Sequence, residues 1–233
     1  MPGEDGYPTY MASRLGALYE RAGRARAIGR PERTGAATLV CAVSPPGGDF
    51  SEPVTQASLR VAGGLWALDA QLARARQVPA VDWSASYSLY ADAVVPALAA
   101  ETGLPWGELR TRVLALLQRD AELREIASLV GSDEMEDGDR LVLALASLVR
   151  EHVLGQNAYH PHDATSPPLK TAQMAELAVA ALDAAGAALT AGAALDALPL
   201  AAFRRAFAAL RSAAPEARDA RLADARRALE GLR

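Results

Sequence analysis

The sequence predicts a mostly helical protein in which an incomplete α/β piece precedes an all-α bundle. Three observations predict it. Short apolar runs bounded by Gly and Pro are confined to residues 1–90. Beyond them, apolar residues recur at helical spacing. The composition also favours helices: 53 of the 233 residues are Ala, and Arg supplies all but one of the basic residues. Ala inflates the 51% hydrophobic content; without it the apolar share is that of an ordinary globular chain. The expected organisation is an α/β piece over residues 1–90 and a helical domain over residues 91–233.

The first helix is carried by Met11, Leu15, Leu18 and Tyr19, with Pro8 suited to its first turn. Residues 24–34 read as a basic, Gly-containing connector. Residues 38–43, mostly apolar and containing Cys41, read as a buried strand with Cys41 as a small core residue. Ser44-Pro45-Pro46-Gly47-Gly48-Asp49 stops that strand. A weaker strand is predicted over 60–68, and a turn at Pro79 leads into Ala80-Val81-Asp82-Trp83. From Ser84 the pattern turns helical. Leu109, Val113, Leu116 and Leu117 form one apolar face; Leu123, Ile126 and Val130 form a second; Leu141, Leu145 and Leu148 form a third. Between the last two, residues 131–139 make an acidic hairpin tip. A Pro/His loop covers 160–168. An Ala-rich helix follows over 170–189, then one with Phe203 and Phe207, then one begun by Pro215.

Composition excludes several classes of function. The formal charge of −4 argues against nucleic acid. Cys41 is the sole cysteine, so no intrachain disulfide forms and a reducing compartment is expected. No signal-peptide pattern is present, and acidic and basic residues are expected to interrupt each apolar stretch short of the roughly 20 residues of a membrane span. Two or three strands with one or two helices do not complete a two-faced sheet, so the α/β piece is expected to pair with something absent here, or the chain is a fragment. His160, His162 and Asp163 carry a faint metal-site pattern, but a pair of His with no convincing further ligands is not a ligand set, and no metal is expected there.

Several strings carry a specific resemblance. They are Tyr7-Pro8, Arg14-Leu15, Tyr19-Glu20-Arg21-Ala22-Gly23-Arg24, and the run Ala42-Val43-Ser44-Pro45-Pro46-Gly47-Gly48-Asp49-Phe50-Ser51-Glu52-Pro53-Val54-Thr55. Leu65-Trp66-Ala67-Leu68-Asp69, Pro79-Ala80-Val81-Asp82-Trp83, Ser86-Tyr87-Ser88-Leu89-Tyr90 and Gln156-Asn157-Ala158-Tyr159-His160 follow in order. In this order they resemble the downstream part of the catalytic A subunit of V-type and archaeal-type rotary ATPases. The resemblance implies an α/β fragment of a RecA-like nucleotide-binding domain followed by the helical lever of that family. A Gly-rich phosphate loop ending Gly-Lys-Ser/Thr is the family's triphosphate grip. The only Lys here, Lys170, precedes Thr171 but follows Leu169, and Ala164 stands at the earlier Gly position. The chain alone is therefore expected to be inactive in hydrolysis, with no catalytic residue of its own.

The resemblance also implies site residues. Gln156 and Tyr159 match the family's adenine slot. Val78 and Val153 stand where the family has aromatics, whose stacking on a base is worth about 1–3 kcal/mol in nucleic-acid proteins. Asp49, Ser51 and Glu52 lie in the loop the family holds near its central shaft. Asp133, Glu134, Glu136 and Asp137 are similar to the acidic tip with which rotary catalytic subunits push on that shaft; the alternative is a solvated charge run. In a complete subunit the cofactor is ATP or ADP with Mg2+. The implied partners are the B subunits of a hetero-hexameric ring and the central shaft, with no nucleic acid and no direct membrane insertion. The implied place is peripheral, at the cytoplasmic face of a membrane. The competing expectation is a non-catalytic interaction module, or a gene remnant, that docks to ring or shaft.

Overall fold

A computed structural model describes residues 6–131 and 134–233, and the chain divides into two compact units, residues 1–65 and 66–233. An α/β part precedes a helical bundle, as the sequence predicts.

In the first unit, α1 (Met11–Tyr19) is followed by an antiparallel hairpin of β1 (Gly23–Ala27) and β2 (Arg33–Ala37), in register from Gly23 opposite Ala37 to Ala27 opposite Arg33. This corrects the reading of residues 24–34 as a connector. A hairpin satisfies its ladder locally, across a short loop. Residues 38–43, expected as a buried strand, form none and are exposed; Val40 is 78% exposed and Cys41 is no core residue. A strand hidden on both faces needs ladder partners on both edges, and no other described segment pairs with this one. The tight turn Pro46–Gly48 carries Gly47 at φ 63°, a left-handed conformation that Gly adopts without strain. Then α2 (Pro53–Val61) begins at an N-cap supplied by Glu52, with Pro53 at the first helical position. Arg60 and Val61 thus close a helix rather than open the strand predicted over 60–68.

That strand, β3, is Gly64–Leu68 and pairs with β4 (Val81–Ser88), with α3 (Ala70–Arg74) between them. The side chain of Asp69 caps α3 by accepting the Leu72 N–H at 2.7 Å. The extended pattern persists to Ser88, four residues beyond the expected switch to helix at Ser84. The Ser86 hydroxyl ties β4 to β3 by accepting the Ala67 N–H at 3.0 Å.

The bundle comprises α4 (Ala91–Thr102), α5 (Trp106–Val130), α6 (Asp137–Val149), α7 (Pro168–Thr190), α8 (Leu200–Arg211) and α9 (Arg218–Glu230). Gly103 ends α4 at φ 71°. The first and third predicted faces meet in one core, Leu109, Val113 and Leu116 from α5 with Leu141, Leu145 and Leu148 from α6, joined by Phe203, Phe207 and Leu210 from α8. Of the second predicted face Leu123 is buried, whereas Ile126 is exposed. At its centre α7 buries Met174, Leu177, Ala178, Ala181 and Ala185. Small Ala side chains let neighbouring helices approach closely. Arg112 to Asp183, with Nη1 at 2.9 Å, and Arg119 to Asp139, at 3.0 Å, fasten α5 to α7 and α6. By length and composition α7 is apolar enough to cross a membrane, contrary to the expectation that no stretch approaches a span; its Ala content lifts its mean hydropathy. Nine of its residues are buried in the bundle, which gives its apolar surface a partner within the chain itself.

Candidate functional site

Helix α6 does not stop at Val149. It widens into a π-helical turn, Arg150–Leu154, closed by the Gly155 N–H on the Arg150 carbonyl at 2.8 Å. π-turns inside helices recur at functional sites because they redirect the chain. Here the turn has three consequences. Val153 is left half-buried against the bundle core. The Gln156 N–H donates to the carbonyl of Val78 at 2.8 Å. A side chain at 155 would force the turn to shift, because a Cβ there would lie 2.8 Å from the Glu151 carbonyl oxygen.

This brings together site residues that the sequence holds far apart. Val153 and Gln156 line one small cavity of about 10 Å³, room for about one water molecule. Val78, 59% exposed, joins them through the backbone bond. Tyr159 stands apart from that cavity at 98% exposure, its N–H on the Asn157 side-chain oxygen at 3.0 Å. Val78, Val153 and Gln156 thus form an open wall beside a small cavity lined mainly by polar groups, Asp163 and Lys170 among them, and not an enclosed apolar pocket.

The same cavity is bounded by an ionic cluster whose role the sequence reading missed. Asp163 is buried, and its Oδ2 accepts from the Asn157 N–H at 2.7 Å and from Arg211 Nε at 2.8 Å, with Arg211 Nη2 at 2.6 Å. Lys170, 2% exposed, places Nζ 3.8 Å from Asp163 Oδ1 and 3.3 Å from the His162 carbonyl. Burial pushes the Asp163 carboxyl up, but Arg211, the Asn157 N–H and Lys170 outweigh it and hold the carboxyl below the ordinary range. Burial pulls the Lys170 ammonium down, opposed by Asp163. A signal for this cluster was present: Lys170 sits four residues before Met174 on the buried stripe of α7, where a charge requires a partner. His160 Nδ1 accepts the His162 N–H at 3.2 Å, and Asp163 faces Arg211. The described residues contain no group of three or more metal-ligating side chains.

The predicted shaft-facing residues divide. Asp49 accepts the Ser51 N–H at 2.8 Å. Glu52 accepts the N–H and hydroxyl of Thr55 at 2.7 and 2.8 Å. Desolvation pushes the Glu52 carboxyl up, but the Thr55 and Val54 N–H groups, the Thr55 hydroxyl and Tyr7 lower it to about 2. Asp49, Ser51 and Glu52 line an open groove of about 300 Å³ with Tyr7, Pro46 and Pro53. Of the acidic tip, Asp133 lies outside the described residues. Asp137, half-buried at the start of α6, accepts from Arg140 at 2.9 Å and from the Leu195 N–H at 2.8 Å. Glu134 and Glu136 are exposed.

Comparison with known proteins agrees with this architecture. Residues 1–88 match the nucleotide-binding domain of the ATP synthase alpha/beta family, and residues 97–197 match the C-terminal domain of V and A type ATP synthase. The chain is 54% identical over 192 residues to the V-type ATP synthase alpha chain of Anaeromyxobacter dehalogenans, covering 82% of this chain and 33% of that protein. It is 52% identical over 177 residues to the V-type ATP synthase alpha chain of Thermoanaerobacter pseudethanolicus, covering 76% of this chain and 30% of that protein. A solved ATP synthase subunit, NeqB of Nanoarcheaum equitans, shares the fold at a TM-score of 0.60 and 23% identity, over 76% of this chain and 41% of that one. The chain thus spans about a third of the length of the curated relatives it matches. By these matches it belongs to the A (alpha) subunits of V- and A-type ATP synthases.

Proposed function

We propose that this chain supplies the adenine-facing wall and the helical lever of a rotary ATP synthase, with domains meeting near residues 90 and 91. The observation that carries the reading is the hydrogen bond from the Gln156 N–H to the Val78 carbonyl. It joins the two segments from which such a wall is built. Val78 and Val153 offer apolar contact to one face of a purine, Gln156 offers an amide to its edge, and Tyr159 stacks once it swings onto the base. Val in place of an aromatic weakens stacking, so base selectivity is modest.

The triphosphate and Mg2+ are gripped elsewhere in the complete protein. Lys170 supports this reading: it is buried and committed to Asp163 and the His162 carbonyl. The B subunits of the ring complete the nucleotide site. Asp49, Ser51, Glu52, Asp133, Glu134, Glu136 and Asp137 form the shaft-facing set. Exposed ion pairs there are each worth under about 1 kcal/mol, suited to contacts that break at every step of rotation. The assembly couples ATP hydrolysis or synthesis to proton or sodium transport, and this chain works at the cytoplasmic face of the membrane.

The test is a titration of the 15N-labelled chain with ADP at millimolar concentration. Amide shifts centred on Val78, Val153, Gln156 and Tyr159 are expected, smaller with GDP, and without turnover of ATP. Shifts confined to other regions, or measurable ATPase activity from this polypeptide, would sink the reading.

A further inference from the structure

The π-helical turn leaves the Glu151 carbonyl without the Gly155 N–H that an α-helix would give it, because that N–H goes to Arg150. Arg211, the last residue of α8, donates Nη1 to the Glu151 carbonyl at 2.7 Å. The same guanidinium holds Asp163 through Nε and Nη2, and Asp163 holds the Asn157 N–H. Asn157 directly follows Gln156, whose own N–H reaches Val78. One planar cation therefore bridges both ends of the segment from Glu151 to Asp163. A second link runs in parallel: Arg204, two turns earlier on α8, reaches the Glu151 carboxylate at 2.7 Å, which the Ser147 hydroxyl also contacts at 2.7 Å.

We propose that Arg211 is a positioning residue for the base wall: acting through Asp163 and the Glu151 carbonyl, it sets the register of residues 155–159 and so the affinity for an adenine nucleotide. This rests on the adenine-wall reading above. Arg suits the position and Lys does not reproduce it, because three donors in a fixed fork meet two acceptors on opposite arms of the loop. Helix α8 thereby becomes mechanically continuous with the wall, and a shift of either displaces the other.

The experiment compares the full chain with Arg211→Ala, Arg211→Lys and a core control, Leu222→Ala. It reads amide exchange at Gln156 and Asn157 together with the ADP-induced amide shifts. In Arg211→Ala, exchange at both amides is expected to rise about tenfold or more, with apparent ADP affinity falling by a similar factor. Arg211→Lys should recover part of both, and Leu222→Ala should change neither at equal loss of thermal stability. Should Arg211→Ala prove unfolded, the Arg211→Lys comparison alone decides the matter, since it keeps the charge and loses only the fork. Unchanged exchange at Asn157 in a folded Arg211 variant overturns the latch. Raised exchange with unchanged ADP-induced shifts at the wall overturns the role of Arg211 in nucleotide affinity and leaves the adenine-wall reading standing; that reading falls instead if the parent chain itself shows no ADP-induced shifts at Val78, Val153 and Gln156.

Discussion

The two compact units contain similar side chains and bury them very differently. Among the described residues up to Leu65, Ala57 is the one apolar side chain that is buried, and Leu39, Val40, Val43 and Phe50 are exposed. From Trp66 onward, α5 to α9 close around a core in which Phe203, Phe207, Leu123, Leu141 and Leu177 are almost wholly hidden. The contrast is one of connectivity rather than composition. A helix satisfies its backbone internally and has only to bury a stripe, which another helix can cover. A strand such as residues 38–43 depends on neighbours for its ladder, and its side chains have nowhere to go without them. The bundle supplies its own cover, and the first unit leaves its apolar residues open.

Native-state hydrogen exchange on the whole chain tests this contrast most sharply. Amides of residues 38–43 should exchange almost as in a free peptide, and those of α7 only on global opening, a separation of about a thousandfold or more. Equal protection would show that the first unit has a core of its own. Next in size is a pair of truncations. Phe207→Ala should destabilise the bundle by about 3–5 kcal/mol in denaturant unfolding, whereas Val40→Ala should stay within about 0.5 kcal/mol. A costly Val40→Ala would contradict its exposure.

Gly155→Ala comes third. The added Cβ meets the Glu151 carbonyl oxygen at 2.8 Å and the Arg150 carbonyl oxygen at 3.0 Å, so the π-turn must shift. A loss of about 1–3 kcal/mol is expected, together with a lost hydrogen bond between residues 156 and 78, visible as faster exchange at Gln156. The smallest effect concerns pH in the first unit. The Glu52 carboxyl is lowered from 4.5 to about 2 by the groups it caps. Its contribution to α2 is therefore fully present above about pH 4.5 and fades as pH falls toward about 2. Protection of the α2 amides should follow that course and lose it in Glu52→Gln; a flat profile in the parent chain would remove the cap from the account.

Much of the bundle was legible because helical periodicity is local. The faces through Leu109, Leu141 and Leu145 follow from spacing alone, and Phe203 and Phe207 fall on one buried side as their separation requires. The strands were less legible. Residues 38–43 have the composition of a buried strand, whereas β1 and β2 consist of Arg, Thr and small residues, yet it is β1 and β2 that pair. The candidate wall was half legible. Gln156 and Val78 could be named from motif resemblance, but not the backbone bond that joins them, since it depends on how a π-turn ends. Arg211, 48 residues beyond its partner Asp163, carries no local mark at all.

By itself the sequence determined the family, the order of an α/β part before a helical part, and which faces of the helices are apolar, because each of these is written in short-range spacing and in strings of adjacent residues. Only the tertiary structure decided which strand candidates found partners, which groups surround the buried Lys170, and that Arg211 secures the loop beside Val78. Those outcomes depend on ladder partners and charge partners far apart in the chain, and a distant partner leaves no trace in the residues that surround it.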